Sequence, residues 1–269
     1  MANVLSEPFL ENVASMSSEV HVERTNQPVS QIALDAKAAA EANPTDPELW
    51  IKYGRALRRQ SMHREAIDAY SMGISYSPFY PLLYRHKAHA YINTSRYAEA
   101  AADFEFAIRL DPSNVDCWYH LALSYFLLQD YERAEKVYKV CYKMSDEDLD
   151  VISCTDWLWM TLRRLGKKEE AAKLLERITP DMDPGVVVSY HRRLLMYKGL
   201  IKPEELMTEN PTDLELVTMG FGLANYYYEI GEDKKGDEMI LRVLEAGKED
   251  AWSAFGYQAA LVEKKRRGL

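Results

Sequence analysis

The chain of 269 residues has little of what a secreted, membrane-bound or disulfide-stabilised protein needs. It contains only 3 cysteines, in no CxxC spacing, together with 12 glycines and 11 prolines. An odd cysteine count argues against a disulfide framework, and the absence of Gly/Ser tracts argues against a flexible linker after residue 28. No apolar run approaches the ~20 residues that span a bilayer, and no export signal opens the chain. We therefore expect a soluble protein of the reducing cytoplasm.

Catalytic signatures are missing as well. The sequence has no GxGxxG after a strand, no GxxxxGK[ST], no HExxH and no GxSxG. The cysteines Cys117, Cys141 and Cys154 have no histidine-bearing active-site motif around them, so we interpret them as structural. The sequence thus predicts a protein that is not an enzyme and that carries no cofactor and no metal.

The net charge of −9 is unevenly distributed. Residues 1–46 hold 2 basic and 7 acidic groups, whereas residues 47–114 hold 9 basic and 7 acidic groups. An acidic chain without a concentrated basic face does not neutralise a duplex, so we expect no nucleic-acid partner. The small basic excess after residue 46 is the region to which an acidic partner would be drawn.

A period of 34 residues is the chain's most informative feature. Four columns of similar residues recur at that spacing, namely Trp50, Tyr84 and Trp118; Gly54, Ala88 and Ala122; Ala66, Ala100 and Ala134; and Tyr70, Phe104 and Tyr138. Self-similarity at this period is typical of stacked helix pairs, in which small residues lie where two helices cross closely. The pattern predicts an all-helical chain built to present a surface.

The same columns resemble a known family of repeats. The residues Trp50, Tyr53, Gly54, Leu57, Ala66, Tyr70, Gly73 and Pro78 stand in the order and spacing of a tetratricopeptide (TPR) repeat, and two further matching sets follow within residues 81–144. The resemblance implies an all-α, right-handed TPR-type helix-pair solenoid of about five to six repeats with terminal capping helices. It also implies a scaffold or adaptor that acts through protein–protein interaction.

We predict an irregular segment over residues 1–28 and a single solenoid over residues 29–269. The predicted parts are a capping helix at 29–44, three well-formed repeats over 47–144, degenerate repeats over 147–248 and a C-terminal capping helix at 249–266. In the degenerate part we expect a long helix from Val186, followed by a short helix at 203–207. This order resembles the second half of an enterobacterial TPR lipoprotein adaptor, although the chain lacks its lipid-anchor cysteine.

In TPR proteins the first helices of successive repeats line an inner face, and this resemblance places the candidate partner-binding residues. They are Arg55, Arg58, Arg59, Arg85, His86, His89, Asn93, Tyr119, His120, Phe126, Asp156, Arg163, Tyr190 and Tyr197. Arginine forks hold carboxylates through two hydrogen bonds, and aromatic rings offer flat apolar area. We expect the groove to bind a protein or peptide segment with acidic and apolar anchors.

Three alternatives remain open at this point. In the first, the arginines belong to a solvated face that binds nothing. In the second, a small-ligand or catalytic site lies around His120, Asp156, Arg163 and Tyr190. In the third, the chain is a self-assembling module, such as a homodimer, that covers the apolar surface of the incomplete first repeat.

Two sharper ideas are disfavoured by particular residues. Ile51 and Asp116 stand where TPR receptors for heat-shock protein tails have lysines, and His86 stands where they have an asparagine. His86 and His120 occupy equivalent positions in adjacent repeats, about 10 Å apart on helix-packing distances, which is near the limit for sharing a metal. We interpret them as histidines that form local hydrogen bonds.

Overall fold

The computed structural model describes residues 28–269, and every regular element in that range is a helix. The all-α, helix-pair fold class is therefore confirmed. The chain forms two compact units, with unit 1 ending at Leu110 and unit 2 running from Asp111 to Leu269. The expectation for the irregular N-terminal segment falls almost wholly outside the described residues. A single solenoid over 29–269 stays a prediction.

Unit 1 contains five helices among its described residues. They are α1 (Gln31–Ala42), α2 (Pro47–Arg58), α3 (His63–Tyr76), α4 (Pro81–Asn93) and α5 (Tyr97–Leu110). Helix α2 packs on α3 and α4 on α5, while α1 packs on α2 as the predicted cap. Pro47 and Pro81 open the first helix of each pair, where proline's fixed φ suits the first turn and its missing N–H costs nothing.

Close crossing within the first helix pair explains the small-residue column. A Cβ placed on Gly54 would lie 2.2 Å from the ring of Tyr70. This position therefore accepts only glycine, which has a hydrogen atom in place of a side chain. The Trp50 indole N–H donates to the Pro44 carbonyl at 2.9 Å and anchors the start of α2. Tyr70 itself is fully buried. The repeat columns therefore mark contacts that fix the crossing of the helices.

Unit 2 contains eight α-helices and two short 3-10 turns among its residues. The helices are α6 (Val115–Leu127), α7 (Tyr131–Met144), α8 (Asp148–Arg164), α9 (Lys168–Leu174), α10 (Val188–Tyr197), α11 (Asp213–Glu229), α12 (Asp233–Gly247) and α13 (Phe255–Arg267). The 3-10 turns are Leu175–Arg177 and Pro203–Glu205. Helix α8, at 17 residues, is longer than the first helices of the regular repeats.

Two predictions for the second half are wrong in detail. Helix α10 is 10 residues long, not extended, because a turn at Pro184 and Gly185 precedes it and Gly199, at φ +80°, ends it. The last helix begins at Phe255 and not near residue 249. Its start is set by packing, since a Cβ on Gly256 would lie 2.5 Å from the Val217 carbonyl oxygen. Neither boundary depends on a feature that recurs at the repeat period.

None of the helices in residues 28–269 combines the length and the apolar character that crossing a bilayer requires.

Candidate functional site

A group of basic and polar side chains on α2 and α4 forms the candidate site of unit 1. We call it the arginine face, and it comprises Arg55, Arg58, Arg85, His86, His89 and Asn93. Arg58 links the two helices, because its Nη2 lies 2.6 Å from His89 Nδ1 and donates to Asn93 Oδ1 at 3.1 Å. Three of the residues predicted from the repeat pattern are thus joined directly to one another.

Helical spacing explains why these side chains converge. Arg55 and Arg58 are three residues apart on α2, and His86, His89 and Asn93 are three and four residues apart on α4, so each set lies on one side of its helix. His89 Nδ1 and Asn93 Oδ1 also lie 3.0 Å apart. Since arginine only donates, the contacts that hold the face together are those of Arg58 with His89 Nδ1 and Asn93 Oδ1.

The arginine face is partly desolvated. Burial lowers the pKa of Arg58, Tyr70 acts against this shift, and the charges of Arg85 and Arg55 add to it. This mutual influence indicates that the three guanidinium groups lie near one another. The same charge reaches His63, whose pKa falls to about 4 because it is buried and because Arg58 is close.

The guanidinium groups of α2 have no acidic partner among the residues that the structure describes. In that part of the chain no ion pair joins Arg55, Arg58 or Arg59 to a carboxylate, whereas Lys37, Lys87, Arg96 and Arg109 of unit 1 each form one. Arg58 hydrogen-bonds to the His89 ring and to Asn93 Oδ1, and its Nε has no hydrogen-bond partner there. The face thus carries positive charge on α2 that residues 28–110 do not neutralise.

The individual positions differ in exposure. Arg55 and Arg59 are exposed, Arg85, His86 and His89 are half-buried, and Asn93 is buried. His86 stacks on Tyr70 with ring centroids 5.7 Å apart, and Arg85 Nη1 lies 3.1 Å from His86 Nδ1. No side-chain contact within residues 28–269 ties Arg59 to the others. Tyr70 and His63 are not among the predicted site residues, since the repeat pattern marks Tyr70 as a packing residue and does not mark His63.

In unit 2 the predicted aromatic positions are largely packed. Phe126 is 4% exposed and meets Tyr131 and Trp157 edge-on at 5.3 and 5.2 Å. Tyr119 is half-buried and packs edge-on against Tyr138 at 6.2 Å. Phe126 therefore has almost no surface to offer, and the expectation that it lies open on the inner face is wrong.

His120 is also buried within unit 2. Its Nδ1 lies 2.8 Å from the carbonyl oxygen of Asp116, one turn earlier on α6. Its ring meets Phe255 of α13 edge-on at 5.5 Å. The contact with the Asp116 carbonyl is a local hydrogen bond of the kind that we expect for this histidine.

Asp156 is the clearest correction. We expect it on an open face, but it is fully buried and forms an ion pair with the equally buried Arg193 of α10. Burial raises the pKa of Asp156 to about 7, and the attraction of Arg193 acts against that shift. Tyr190 lies over the same guanidinium, 5.0 Å from ring centroid to Arg193 Cζ. Two of the four residues of the proposed catalytic alternative thus belong to this buried cluster.

Arg163 and Tyr197 are likewise engaged within unit 2. Arg163 pairs with Glu229 of α11. Tyr197 stacks on Trp159 with ring centroids 3.8 Å apart and donates from its hydroxyl to the Gly222 carbonyl at 3.2 Å. Their roles in partner binding remain predictions.

The cysteines have structural surroundings. Cys117, Cys141 and Cys154 are all buried and unbridged, and the Cys154 thiol lies 3.4 Å from the Tyr138 carbonyl oxygen. Burial raises the pKa of Cys154, which disfavours the thiolate that a nucleophile needs. Among the described residues no group of three His, Cys, Asp or Glu side chains is arranged to hold a metal ion.

Comparison with known proteins finds a repeat family that part of the chain resembles. A tetratricopeptide repeat model matches residues 86–148, which cover α4 through α7 apart from the first residues of α4. The match covers less than a quarter of the chain. The resemblance of the second half to a lipoprotein adaptor stays a prediction.

One relative and two solved structures extend the comparison. The chain is 31% identical over 86 residues to the heat-shock protein cognate co-chaperone sgt12 of Aspergillus fumigatus, over 32% of this chain and 25% of that relative. A tetratricopeptide repeat protein from Parabacteroides merdae has a TM-score of 0.55 at 19% identity and covers 85% of this chain and 91% of its own. YrrB, a TPR protein with an unusual peptide-binding site, has a TM-score of 0.50 at 17% identity and covers 87% and 99%.

The three comparisons support conclusions of different extent. The match to the co-chaperone spans about a quarter of that relative's length, so its role as a whole says little about this chain. The two structures are below 20% identical and show the fold alone.

Proposed function

We propose that the chain is a non-enzymatic adaptor of the cytoplasm that binds an acidic segment of a partner protein on the arginine face of unit 1. The observation that carries this proposal is the state of Arg58. It is partly buried, it has Arg55 and Arg85 nearby, and its hydrogen-bond partners are His89 and Asn93, with no carboxylate among the described residues. A carboxylate from outside would supply the missing negative charge through a charge-assisted, two-pronged hydrogen bond.

Two features of similar proteins are in keeping with this role. The Aspergillus relative is a co-chaperone of a heat-shock cognate protein, and YrrB has a peptide-binding site. Neither fixes the partner of this chain. Ile51, His86 and Asp116 set its recognition apart from the heat-shock tail pattern, so we propose an acidic segment of different sequence.

The remaining groove residues contribute in different ways. Arg59 would add long-range attraction from the exposed end of α2, while Tyr119, Tyr190 and Tyr197 of unit 2 are the predicted apolar anchors. A homodimer through the incomplete first repeat also stays a prediction. Light scattering that gives a strictly monomeric mass at a protein concentration of tens of micromolar would exclude the dimer. The proposal for the arginine face would be unaffected.

A peptide titration tests the proposal directly. The probe is a fluorescein-labelled hexaglutamate peptide, with hexaglutamine as the uncharged control, and the readout is anisotropy with the full chain. The variant R55E/R85E reverses two charges on the arginine face, and we expect it to weaken hexaglutamate binding at least tenfold. Its matched control is R64E/R109E, which changes the net charge equally at two exposed positions on α3 and α5.

The control decides between specific and diffuse attraction. The proposal requires R64E/R109E to bind within about twofold of the unaltered chain. Equal weakening in both variants would show that the peptide responds to overall charge alone, and no weakening in R55E/R85E would remove the arginine face from consideration. Affinity capture from the native host with these two variants then identifies the partner.

A further inference from the structure

The sequence that precedes the described residues is acidic. We call residues 1–27 the N-terminal stretch, and their charged side chains are Glu7, Glu11, Glu19, Glu23 and Arg24, which give a net charge of −3. Apolar side chains lie between the glutamates, among them Leu5, Phe9, Val13 and Met16. The chain therefore carries in its own sequence the combination of acidic and apolar anchors that we propose for the partner of the arginine face.

The described part of the chain begins beside the C-terminal end of α2. The Ser30 backbone N–H donates to Gln60 Oε1 at 2.9 Å, and Val29 packs against the apolar core of α2 and α3. Gln60 directly follows Arg58 and Arg59 in the sequence. The point at which the N-terminal stretch joins the folded chain is therefore fixed next to the arginine face.

The N-terminal stretch is long enough to reach this face. Arg55 lies five residues before Gln60, which is about 8 Å along a helix. A random-coil chain of nine residues, as from Glu19 to Pro28, has an average end-to-end distance of about 15–18 Å. A short tether of this kind gives an effective concentration in roughly the millimolar range. Even a weak attraction is then enough to keep the stretch on the face.

The outer side of α1 is the other surface near this attachment point. It exposes Ile32 and Leu34, whose side chains are 70% and 45% exposed. The three charged residues of α1 have a net charge of −1, and among them Lys37 already pairs with Glu41 at 3.6 Å. An acidic stretch gains no charge attraction on α1, whereas the guanidinium groups of α2 form no ion pair within residues 28–269. Charge complementarity therefore favours the arginine face.

We propose that the N-terminal stretch folds back onto the arginine face of its own molecule and competes there with the external partner. This inference rests on the anion-binding role that we propose for the face. Glu19 and Glu23 are the glutamates nearest the attachment point, and they pair with the guanidinium groups of α2. If the face is free in about one molecule in ten, the apparent affinity for a partner falls about tenfold.

A nitroxide label shows where the N-terminal stretch lies in the full chain. Ser18→Cys supplies the attachment site, and labelling is selective because the three native cysteines are buried. We expect paramagnetic broadening of the amide signals of α2 and α4, with those of α4 weakened more strongly than those of α1. A mixture of labelled chains with isotope-enriched unlabelled chains separates contacts within one molecule from contacts between molecules.

Hexaglutamate titration measures the competition. The variant E7Q/E11Q/E19Q/E23Q removes the negative charge of the N-terminal stretch and leaves the arginine face unaltered. We expect it to bind hexaglutamate at least about fivefold more tightly than the unaltered chain, because the face is no longer occupied. In the same variant, the label at position 18 should no longer broaden the amide signals of α4.

A matched control separates competition from overall charge. E132Q/E169Q/E209Q/E238Q replaces four exposed glutamates of unit 2 that form no ion pair within residues 28–269, and it changes the net charge equally. It should bind hexaglutamate within about twofold of the unaltered chain. Unchanged thermal unfolding of both variants confirms that each one folds.

Stronger broadening of α4 together with tighter binding by E7Q/E11Q/E19Q/E23Q supports the inference. Stronger broadening of α1 than of α4, broadening only between mixed chains, or equal tightening in the control variant would each overturn it. Equal hexaglutamate binding by the unaltered chain and by E7Q/E11Q/E19Q/E23Q would also overturn it and leave the proposed function standing.

Failure of the proposed function gives a different pattern. In that case hexaglutamate binds neither the unaltered chain nor E7Q/E11Q/E19Q/E23Q, while the label still broadens α4 in the unaltered chain and not in the variant. The arginine face then binds only the N-terminal stretch of its own molecule.

Discussion

The two units differ in whether they provide a carboxylate for an arginine that is removed from water. In unit 1, the partly buried Arg58 has His89 and Asn93 as hydrogen-bond partners and other arginines nearby, and no carboxylate of the described chain pairs with it. In unit 2, Arg193 is fully buried and pairs with the equally buried Asp156. The fold therefore supplies an acid for one of these arginines and not for the other, and our proposal assigns anion binding to the one without an acid.

Removing the acid of the buried pair should have the largest effect. Asp156→Ala leaves the charge of Arg193 buried without a partner, and we expect unit 2 to lose about 3–5 kcal/mol of unfolding free energy. Hydrogen exchange of the α8 and α10 amides in urea measures the loss locally. The paired replacement D156L/R193M removes both charges and should restore most of it. A loss below about 1 kcal/mol in D156A would contradict the assignment of the pair as a stabilising contact.

Acid should weaken unit 1 through His63. Its pKa is about 4 in the folded chain against an ordinary 6.5, so the unfolded chain takes up the proton first as the pH falls. Stability is then lost between about pH 6.5 and 4, by at most about 3 kcal/mol at 1.36 kcal/mol per unit. Hydrogen exchange of the α3 amides over this range detects the loss. His63→Gln should flatten the profile, and an unaltered slope in this variant would assign the effect to another group.

The buried pair predicts the opposite slope for unit 2. The pKa of Asp156 is raised to about 7, above its ordinary value of 3.8, so the folded chain holds the proton over a range where the unfolded chain has released it. This contribution to stability is complete below about pH 4 and is lost as the pH rises through 7, and we expect a change of about 1–3 kcal/mol. Exchange of the α8 amides from about pH 5 to 8 measures it. Asp156→Asn should abolish the slope, and its persistence would count against this residue.

Replacing Arg58, which pairs with no carboxylate among the described residues, should have the smallest effect on stability. Arg58→Met removes a partly buried charge with no acidic partner, and His89 and Asn93 can still interact with each other at 3.0 Å. We expect the unfolding free energy of unit 1 to change by less than about 1 kcal/mol, while hexaglutamate binding weakens about tenfold. Urea unfolding and peptide anisotropy on the same sample separate the two. A large loss of stability with unchanged binding would reverse the comparison between the units.

The regular repeats were predictable because their packing is local. The range 47–144 predicted for the regular repeats contains three helix pairs, α2–α3, α4–α5 and α6–α7, which run from Pro47 to Met144. Each helix contacts its neighbour in sequence, so a fixed period carries most of the needed information. The packing around Gly185 and Gly256 in unit 2 does not follow the repeat period. The lengths of α10 and α13 therefore had no periodic signal from which to be predicted.

Side-chain neutralisation was harder to predict than helix position. Arg55, Arg58 and His89 converge as the repeat spacing suggests, because residues one period apart lie on adjacent helices. Asp156 and Arg193, in contrast, are 37 residues apart, outside the repeat period. Their pairing depends on the offset of α10 that the turn at Pro184 and Gly185 introduces. Asp156, which the repeat pattern predicts at the surface, is therefore at the centre of a buried cluster.

Sequence alone determined that the chain is helical, where the regular pairs begin and end, and which small residues lie at their crossings, because all of these follow from neighbours one helix away. Tertiary structure decided which arginines meet an acid, since charge balance depends on side chains brought together from distant helices. That balance separates Arg193, which pairs with Asp156, from Arg58, which pairs with no carboxylate among the described residues and on which the proposed peptide-binding site depends.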